Sequence, residues 1–599
     1  MTGATSRGNA ARRLRQLRLL AHVAWRNAQD DPALLAVQAV RRLPLRARTR
    51  ASGLVLRDDA TDPSLRQALG YFLADRPAEV RSLLAQVSPR TAAGRRLAAE
   101  LAVQVGQALG DDAPASALAR AAWSRGDLTA ALEVLEGASG GAARRQHARL
   151  TSDRRTMTPG FRLPVPNAPS AAARVRDGRD GGSRAPAYGS GSGPRVLHLL
   201  TNSVPRTSSG YALRSHSILR AQRAAGIEVE AVTRLGYPVT IGLPGALESE
   251  VVDGITYRRL VPGRMAPTIE ERLSQTVEML LPHVERFRPT AIHTTTHFPN
   301  ALVAQAVSEA TGVPWVYEVR GQLEKTWLAS RPAGEQAAAL QSERFRLCHD
   351  KETEMSLAAD HVVVLSEALR RDLVERGVPA GSISVMPNAV DEGLLSATVA
   401  ARDARRALGL PADGFWVGTV SSLVAYEGID VLVDAVALLR ARGLDVRCAV
   451  VGDGTARPAL QAQVDRLGLS GVVVLPGRVD RTEAAAWHRA LDVFVVPRQD
   501  VDVCRTVTPL KPIEAMAAGR PVVASDLPAL AEIVAVPGTG LLARPEDAQD
   551  LATRLQTLLD DEPLRRRLGD AGRAFAATRT WQGLAARYRN LYEHLGSDR

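Results

Sequence analysis

Residues 493–525 read Val493-Phe-Val-Val-Pro-Arg-Gln-Asp-Val-Asp-Val-Cys-Arg-Thr-Val-Thr-Pro-Leu-Lys-Pro-Ile-Glu-Ala-Met-Ala-Ala-Gly-Arg-Pro-Val-Val-Ala-Ser525. The apolar run at 493–496 predicts a strand that stops at Pro497, a loop follows, and a helix begins near Lys511 or Pro512. The run 521–524 is the next strand, so this stretch is one turn of a parallel α/β sheet. The free N–H groups and positive dipole end of such a helix suit a phosphate. Lys511 adds a point charge for a diphosphate, and Glu514, one turn in, can accept bonds from ribose hydroxyls. Alone, the same residues also read as a helix start with ordinary end charges.

The pattern extends in both directions. Short apolar runs at 195–200, 228–233, 291–295, 315–319 and 361–365 alternate with helical stretches, the first of them over about 211–225. A second set follows at 416–420, 446–451, 472–475, 493–496 and 521–524. Two such sets predict two Rossmann-like domains, over 194–395 and 396–580, with ligands at the carboxyl ends of the strands. Residues 581–599 are expected to be a final helix.

Residues 1–160 differ: they are rich in Ala, Leu and Arg, have helical periodicity and predict an all-α accessory domain. Residues 117–136 read as a helical hairpin with Gly126 and Asp127 at the turn. The hairpin looks like one tetratricopeptide unit, but no copies follow at that period, so an array is not expected. Near the start, Leu14, Leu17, Leu20 and Ala24 recur three or four apart, with Arg12, Arg13, Arg15 and Arg18 between them. Two readings fit this basic amphipathic helix. One is an anionic membrane surface, where each Arg could add about 1 kcal/mol; the other is packing on the rest of the domain with a solvated Arg face. Residues 161–193, with Pro164, Pro166, Pro169 and the run Gly189-Ser-Gly-Ser-Gly193, predict a linker.

The net charge is +12, from 76 Lys+Arg against 64 Asp+Glu. Residues 1–60 hold twelve Arg and four Asp, a net +8, so the excess is local and no nucleic-acid groove is expected. Three widely spaced cysteines (Cys348, Cys448, Cys504) argue against a disulfide framework or structural zinc and fit a reducing cytoplasm. No apolar run approaches the ~18 residues of a membrane span, and the start lacks the pattern of a signal peptide. The expected location is cytoplasmic, with the inner membrane face as the place where a peripheral contact would form.

Further motifs recur in order. They are Tyr317-Glu-Val-Arg-Gly321, Val362-Val-Val-Leu-Ser-Glu367, Met386-Pro-Asn-Ala-Val-Asp391, Tyr426-Glu-Gly-Ile-Asp430, Val450-Val-Gly-Asp-Gly454 and Leu475-Pro-Gly-Arg-Val479. With the run 510–525 and Glu532, this set resembles glycosyltransferase family 4 over about residues 194–595. The resemblance implies a GT-B fold, two Rossmann-like domains facing a cleft, here preceded by the all-α domain. It implies transfer of a sugar from a nucleotide-sugar (UDP- or GDP-linked) with retention of configuration, with no essential metal and no cofactor. The acceptor is unknown; a lipid-linked or surface-polysaccharide precursor is the family-level expectation. A non-catalytic nucleotide-sugar-binding protein with a helical recruiting module is the alternative, and an NAD enzyme lacks the full glycine fingerprint.

Carried over by position, Lys511 meets the diphosphate and Glu514 the ribose, while Gly452, Gly454, Arg478 and Thr508 complete the donor side. Gly210, in Thr207-Ser-Ser-Gly-Tyr-Ala212, is expected to let the backbone approach donor phosphate or acceptor and is placed with the donor residues. Tyr211, His297, Glu318 and Gly321 are the acceptor-side expectations, and Arg320 is expected to face Lys511 across the diphosphate as the second catalytic cation. Four family slots are changed: Thr506 stands where the first Glu is common, Ser422 and Glu427 stand where Arg and Lys are common, and Arg320 replaces a His. These read as a subfamily variant. Asp500-Val-Asp502 and the pair His293/His297 are discounted as metal sites.

Overall fold

Continuous apolar runs bounded by helices become strands buried on both faces, as a parallel sheet demands. The computed structural model describes residues 2–31, 34, 35, 37, 45–56, 63–110, 112–165, 193–396 and 399–597. The first sheet contains β1 (Arg195–Leu200), β2 (Glu228–Thr233), β3 (Ser249–Val252), β4 (Ile255–Arg259), β5 (Ala291–Thr295), β6 (Trp315–Val319), β7 (His361–Val364) and β8 (Ile383–Val385). Their order is β3-β4-β2-β1-β5-β6-β7-β8. All neighbours are parallel except the β3–β4 hairpin.

The second sheet is parallel throughout, in the order β11-β10-β9-β12-β13-β14. It comprises β9 (Phe415–Val420), β10 (Val446–Val451), β11 (Val473–Gly477), β12 (Val493–Val496), β13 (Val522–Ser525) and β14 (Gly540–Ala543). The order reverses between β9 and β12, which opens a crevice at their carboxyl ends. This is the GT-B architecture of two Rossmann-like domains. Four strands escape the sequence reading: β3, β4, β8 and β14. Each has only three to five residues. β3, β8 and β14 are edge strands, and β4, next to the edge, is too rich in Arg to register as an apolar run.

Two chain crossings join the domains, and they pair with each other. The N–H of Val390 donates to Arg579 O (2.9 Å), and that of Trp581 donates to Val390 O (3.2 Å). The last helix, Trp581–Ser597, then lies on the first sheet, where Trp581, Leu584, Tyr588 and Tyr592 pack with Val196, Ile218, Val316 and Val363.

Residues 1–160 are all-helical where described. The hairpin is formed by the helices Ala115–Arg125 and Leu128–Glu136. Gly126 turns it with φ 93°, and Asp127 caps the second helix by accepting from Ala130 N. A side chain at Gly126 would run into Ser342 and Trp327 of the first Rossmann-like domain, so the turn is also a docking point. Docking continues through Glu343, which accepts from Arg154 Nε (2.7 Å) and from the N–H and hydroxyl of Thr129 (2.9 and 3.0 Å). Most of the segment expected as a linker, 166–192, lies outside the described residues. Before it, Leu163 is buried in the core of the first domain.

The first helix packs through only part of its apolar stripe. Leu14 and Leu17 are exposed, while Gln16 and Leu19 are buried against the first Rossmann-like domain. Of the Leu14–Leu17–Leu20–Ala24 stripe, only Leu20 packs on the docked cluster, together with Leu19 and Val23.

Gly452 has φ 143°, and a Cβ there would overlap the carbonyl oxygen of Ser421 in the loop after β9. Gly452→Ala is therefore expected to lower stability by on the order of 2–4 kcal/mol, read as a fall in thermal midpoint; an unchanged midpoint would contradict the tight loop contact.

Candidate active site

At the carboxyl end of β6, Glu318 is fully buried, yet three cationic or titratable groups converge on it. Arg214, from the helix Gly210–Ala224, donates through Nε (3.0 Å) and Nη2 (2.8 Å) to Oε1. Arg320 donates through Nη2 to Oε2 at 2.6 Å, and His293 Nε2 stands 3.1 Å from the same oxygen. Burial alone would raise the Glu318 carboxyl, but Arg320 and Arg214 outweigh it and hold the group well below its ordinary range. His293 is pushed down by burial and bonds Tyr592 of the last helix through Nδ1 (2.9 Å).

The network reaches the crossing between the domains. Arg214 also donates to Met386 O (2.7 Å), Pro387 O (3.0 Å) and Asn388 Oδ1 (3.1 Å). Asn388 Nδ2 in turn donates to Thr508 O at 2.9 Å, inside the donor segment of the second domain. Nearby, Thr506 O accepts from Ser366 Oγ (2.9 Å), and the Thr506 hydroxyl bonds Gln322 Oε1 (2.9 Å). Glu532 takes the N–H groups of Glu367 (3.0 Å) and Ala368 (3.3 Å), capping a helix of the first domain from the second. Thr506, in the slot where the family commonly has Glu, is thus a contact between domains.

Lys511 and Glu514 open the helix Lys511–Ala517, and Lys511 Nζ lies 2.8 Å from Glu514 Oε2. Pro512 removes one early N–H donor, and Ile513 N is engaged by Leu510 O (3.2 Å), so the side chains carry more of the site than the helix end does. Both line a pocket of about 280 Å3 with Asp391, Arg481, His488 and Arg489. His488 Nε2 is 3.3 Å from Glu514 Oε2. Burial would raise the Glu514 carboxyl, but Lys511 and His488 overcome it and hold it at about 2. A carboxylate fixed in its ionised form beside a partly exposed ammonium can accept hydrogen bonds from hydroxyls while the cation meets an anion.

Not every expected residue lies in that pocket. Arg320 is only 2% exposed; its Nη1 donates to Ser215 Oγ (2.7 Å) and Tyr211 O (3.1 Å), while its buried Nε has no partner among the described residues. The open cation facing Lys511 is not what is found: Glu318 draws the guanidinium into the first domain. Gly452 and Gly454 are required by their contact with the loop 421–423. Arg478 is exposed after β11, and Thr508 is buried at the domain boundary. Gly210 is exposed and begins its helix behind the cap Ser209, and Tyr211 is exposed with its hydroxyl over Gly321. His297 is half-buried at the end of β5, where burial lowers its pKa.

Glu427, in a slot where a cation is common, pairs with Arg498 (2.7 Å), which donates to Val507 O (2.8 Å) and braces the donor loop. Asp500 is held by Arg505 at 2.5 and 2.6 Å. Among the described residues no group of three or more His, Cys, Asp or Glu could hold a metal ion. The sequence reading misses Arg481 and His488. Their signal was the spacing 481, 484, 485, 488, one face of the helix Arg481–Ala490.

Two Rossmann-like domains joined by paired crossings define the class: a GT-B protein. The description "Glycosyl transferase 4-like domain" matches residues 209–389, and "Glycosyl transferases group 1" matches 401–575. D-inositol 3-phosphate glycosyltransferase of Arthrobacter sp. is 27% identical over 65% of this chain and 92% of its own. A D-inositol 3-phosphate glycosyltransferase of Catenulispora acidiphila is 29% identical over 66% and 93%. Among solved structures, sucrose-phosphate synthase of Thermosynechococcus elongatus superposes with TM-score 0.57 at 25% identity, covering 68% of this chain and all of that one. HepE of Anabaena, solved with UDP-glucose, shares the fold (TM-score 0.51, 19% identity, 67% and 100% covered). The chain belongs to the family 4 type of glycosyltransferases, and it is a glycosyltransferase. The comparisons do not favour the non-catalytic alternative. The family matches begin after the helical domain.

Two outcomes are expected at these clusters. Glu318→Gln leaves Arg214 and Arg320 buried without a counter-charge and should cost about 3–5 kcal/mol in denaturant unfolding; wild-type stability would contradict the network. Because the Glu514 carboxyl is depressed from 4.5 to about 2, its ionised form stabilises the fold at neutral pH, and that contribution fades as pH falls through this window. The stability gap between wild type and Glu514→Gln should therefore shrink from pH 7 to pH 3; a constant gap would refute the pairing.

Proposed function

We propose that this glycosyltransferase takes its sugar from a UDP- or GDP-linked donor and transfers it with retention of configuration, without an essential metal. The bond from the anomeric carbon to the diphosphate oxygen breaks, an acceptor hydroxyl oxygen bonds to that carbon, and the hydroxyl proton leaves with the diphosphate. Lys511 is the cation that meets the departing diphosphate, with Arg481 on the same pocket wall, and Glu514 receives the ribose hydroxyls. Arg320, paired with Glu318 and bonded to Tyr211 O, acts as a positioning residue for the start of the Gly210–Ala224 helix. The proposed acceptor is a lipid-linked or surface-polysaccharide precursor, met at the inner face of the membrane by Tyr211, His297 and Gly321.

The observation that carries this reading is the placing of Lys511 and Glu514 on one helical turn within one pocket of a GT-B second domain. A thermal-shift screen of UDP-, GDP- and ADP-sugars tests it, since ligand at a hundred times its dissociation constant stabilises by about 2.7 kcal/mol. One of the first two donors should raise the midpoint. Lys511→Ala should remove most of that shift and lower turnover on the order of a hundredfold; turnover near wild type would overturn the assignment.

A further inference from the structure

The first helix, Thr2–Asp30, has two faces with different tasks. One docks on the first Rossmann-like domain. Leu19 is buried with Val239 and Val261, and Gln16 exchanges two bonds of 2.6 Å with Ala246 O and Gly245 N. Arg26 donates to the carbonyls of Met265, Ala266 and Pro267 at 3.1–3.2 Å. A helix turns about 100° per residue, so the side opposite Gln16, Leu19 and Val23 presents Leu14, Leu17, Ala21 and Trp25.

These four are spaced three, four and four, which makes one continuous stripe. Leu14, Leu17 and Trp25 are 50, 56 and 64% exposed, and Arg13 and Arg18 beside them are exposed too, as is Arg15, which pairs with Glu248 at 2.9 Å. Packing does not require this stripe, because the helix is already seated by its other face. Three large apolar residues are also far short of the roughly 800 Å2 per partner that a stable protein interface buries. Their company suits a different occupant. Trp and Leu settle at the boundary between headgroups and acyl chains, and flanking arginines attract anionic lipid. The net +8 of residues 1–60 has the matching sign.

We propose that the outer face of this helix, Leu14–Leu17–Ala21–Trp25 with its arginines, lies on an anionic bilayer. The inference rests on the reading of an enzyme that works at a membrane face, but its test needs no turnover. Because Gln16 and Arg26 fasten the helix to the acceptor-side domain, the contact would also fix that domain's orientation toward the bilayer.

Co-sedimentation of the full chain with vesicles tests this. Vesicles of phosphatidylcholine and phosphatidylglycerol in equal parts should capture it, and phosphatidylcholine alone should capture it at least about tenfold less. The triple variant Leu14→Glu, Leu17→Glu, Trp25→Glu should lose at least about tenfold in affinity for the anionic vesicles while melting like wild type. Val536→Glu, at an 83% exposed site on the second domain, is the control and should bind unchanged. Binding that survives the triple variant would overturn this face while leaving a membrane contact elsewhere. No capture by anionic vesicles would overturn both the face and the membrane reading, and would leave donor binding untouched. A dimer that the triple variant dissolves would overturn the proposal in favour of a protein interface.

Discussion

A single carboxylate at the end of β6 holds the most pieces together. Glu318 is sealed from water, so its charge survives only because Arg214 and Arg320 sit within hydrogen-bond distance and His293 closes the remaining side. Each partner leads elsewhere. Arg214 grips the backbone of 386–388 where the chain leaves the first domain, Arg320 holds the start of the Gly210–Ala224 helix through Tyr211 O, and His293 reaches the returning last helix through Tyr592. One buried charge thus sets the exit from the domain, the start of the helix after β1 and the seat of the C-terminal helix. Isolated burial of any of these ions would be prohibitive, so the set stands or falls together.

The same constraint explains how the donor segment is held. Asn388, oriented by Arg214, binds Thr508 O, and Thr506 bridges to Gln322. Where the family commonly places an acidic residue, this chain has a hydroxyl that joins the domains. Where it commonly places a cation in the first loop of the second domain, Glu427 anchors Arg498 and the loop behind it. Around the second-domain pocket the charges pair among themselves: Lys511 and His488 with Glu514, and Arg481 with Asp391.

Much of this was legible in the residues. The long apolar runs marked ten strands because strands buried on both faces need no alternation. The Lys511–Glu514 spacing pointed to one turn of helix with both side chains on one face, and they do share a pocket. What could not be read was pairing over distance. Nothing near Arg320 says that Glu318, two residues earlier, will turn it inward, because Arg320 lies just past the end of β6 at Val319, where strand alternation no longer sets a side chain's direction. Gly452 and Gly454 looked like approaches for a nucleotide, yet their first task is to let two loops touch. In the first helix the leucines announced an amphipathic element, but only contact with Gly245 and Ala246 shows that Gln16 lies on its packed face.

The central claim is that Lys511 and Glu514 receive the nucleotide-sugar from the second domain while the Glu318 cluster holds the first domain in register. A crystal structure with a bound nucleoside diphosphate sugar tests it most directly. The account predicts the diphosphate within hydrogen-bond reach of Lys511 Nζ, the ribose hydroxyls on the Glu514 carboxylate, and Arg320 still paired with Glu318. A nucleotide seated away from both Lys511 and Glu514 would contradict it.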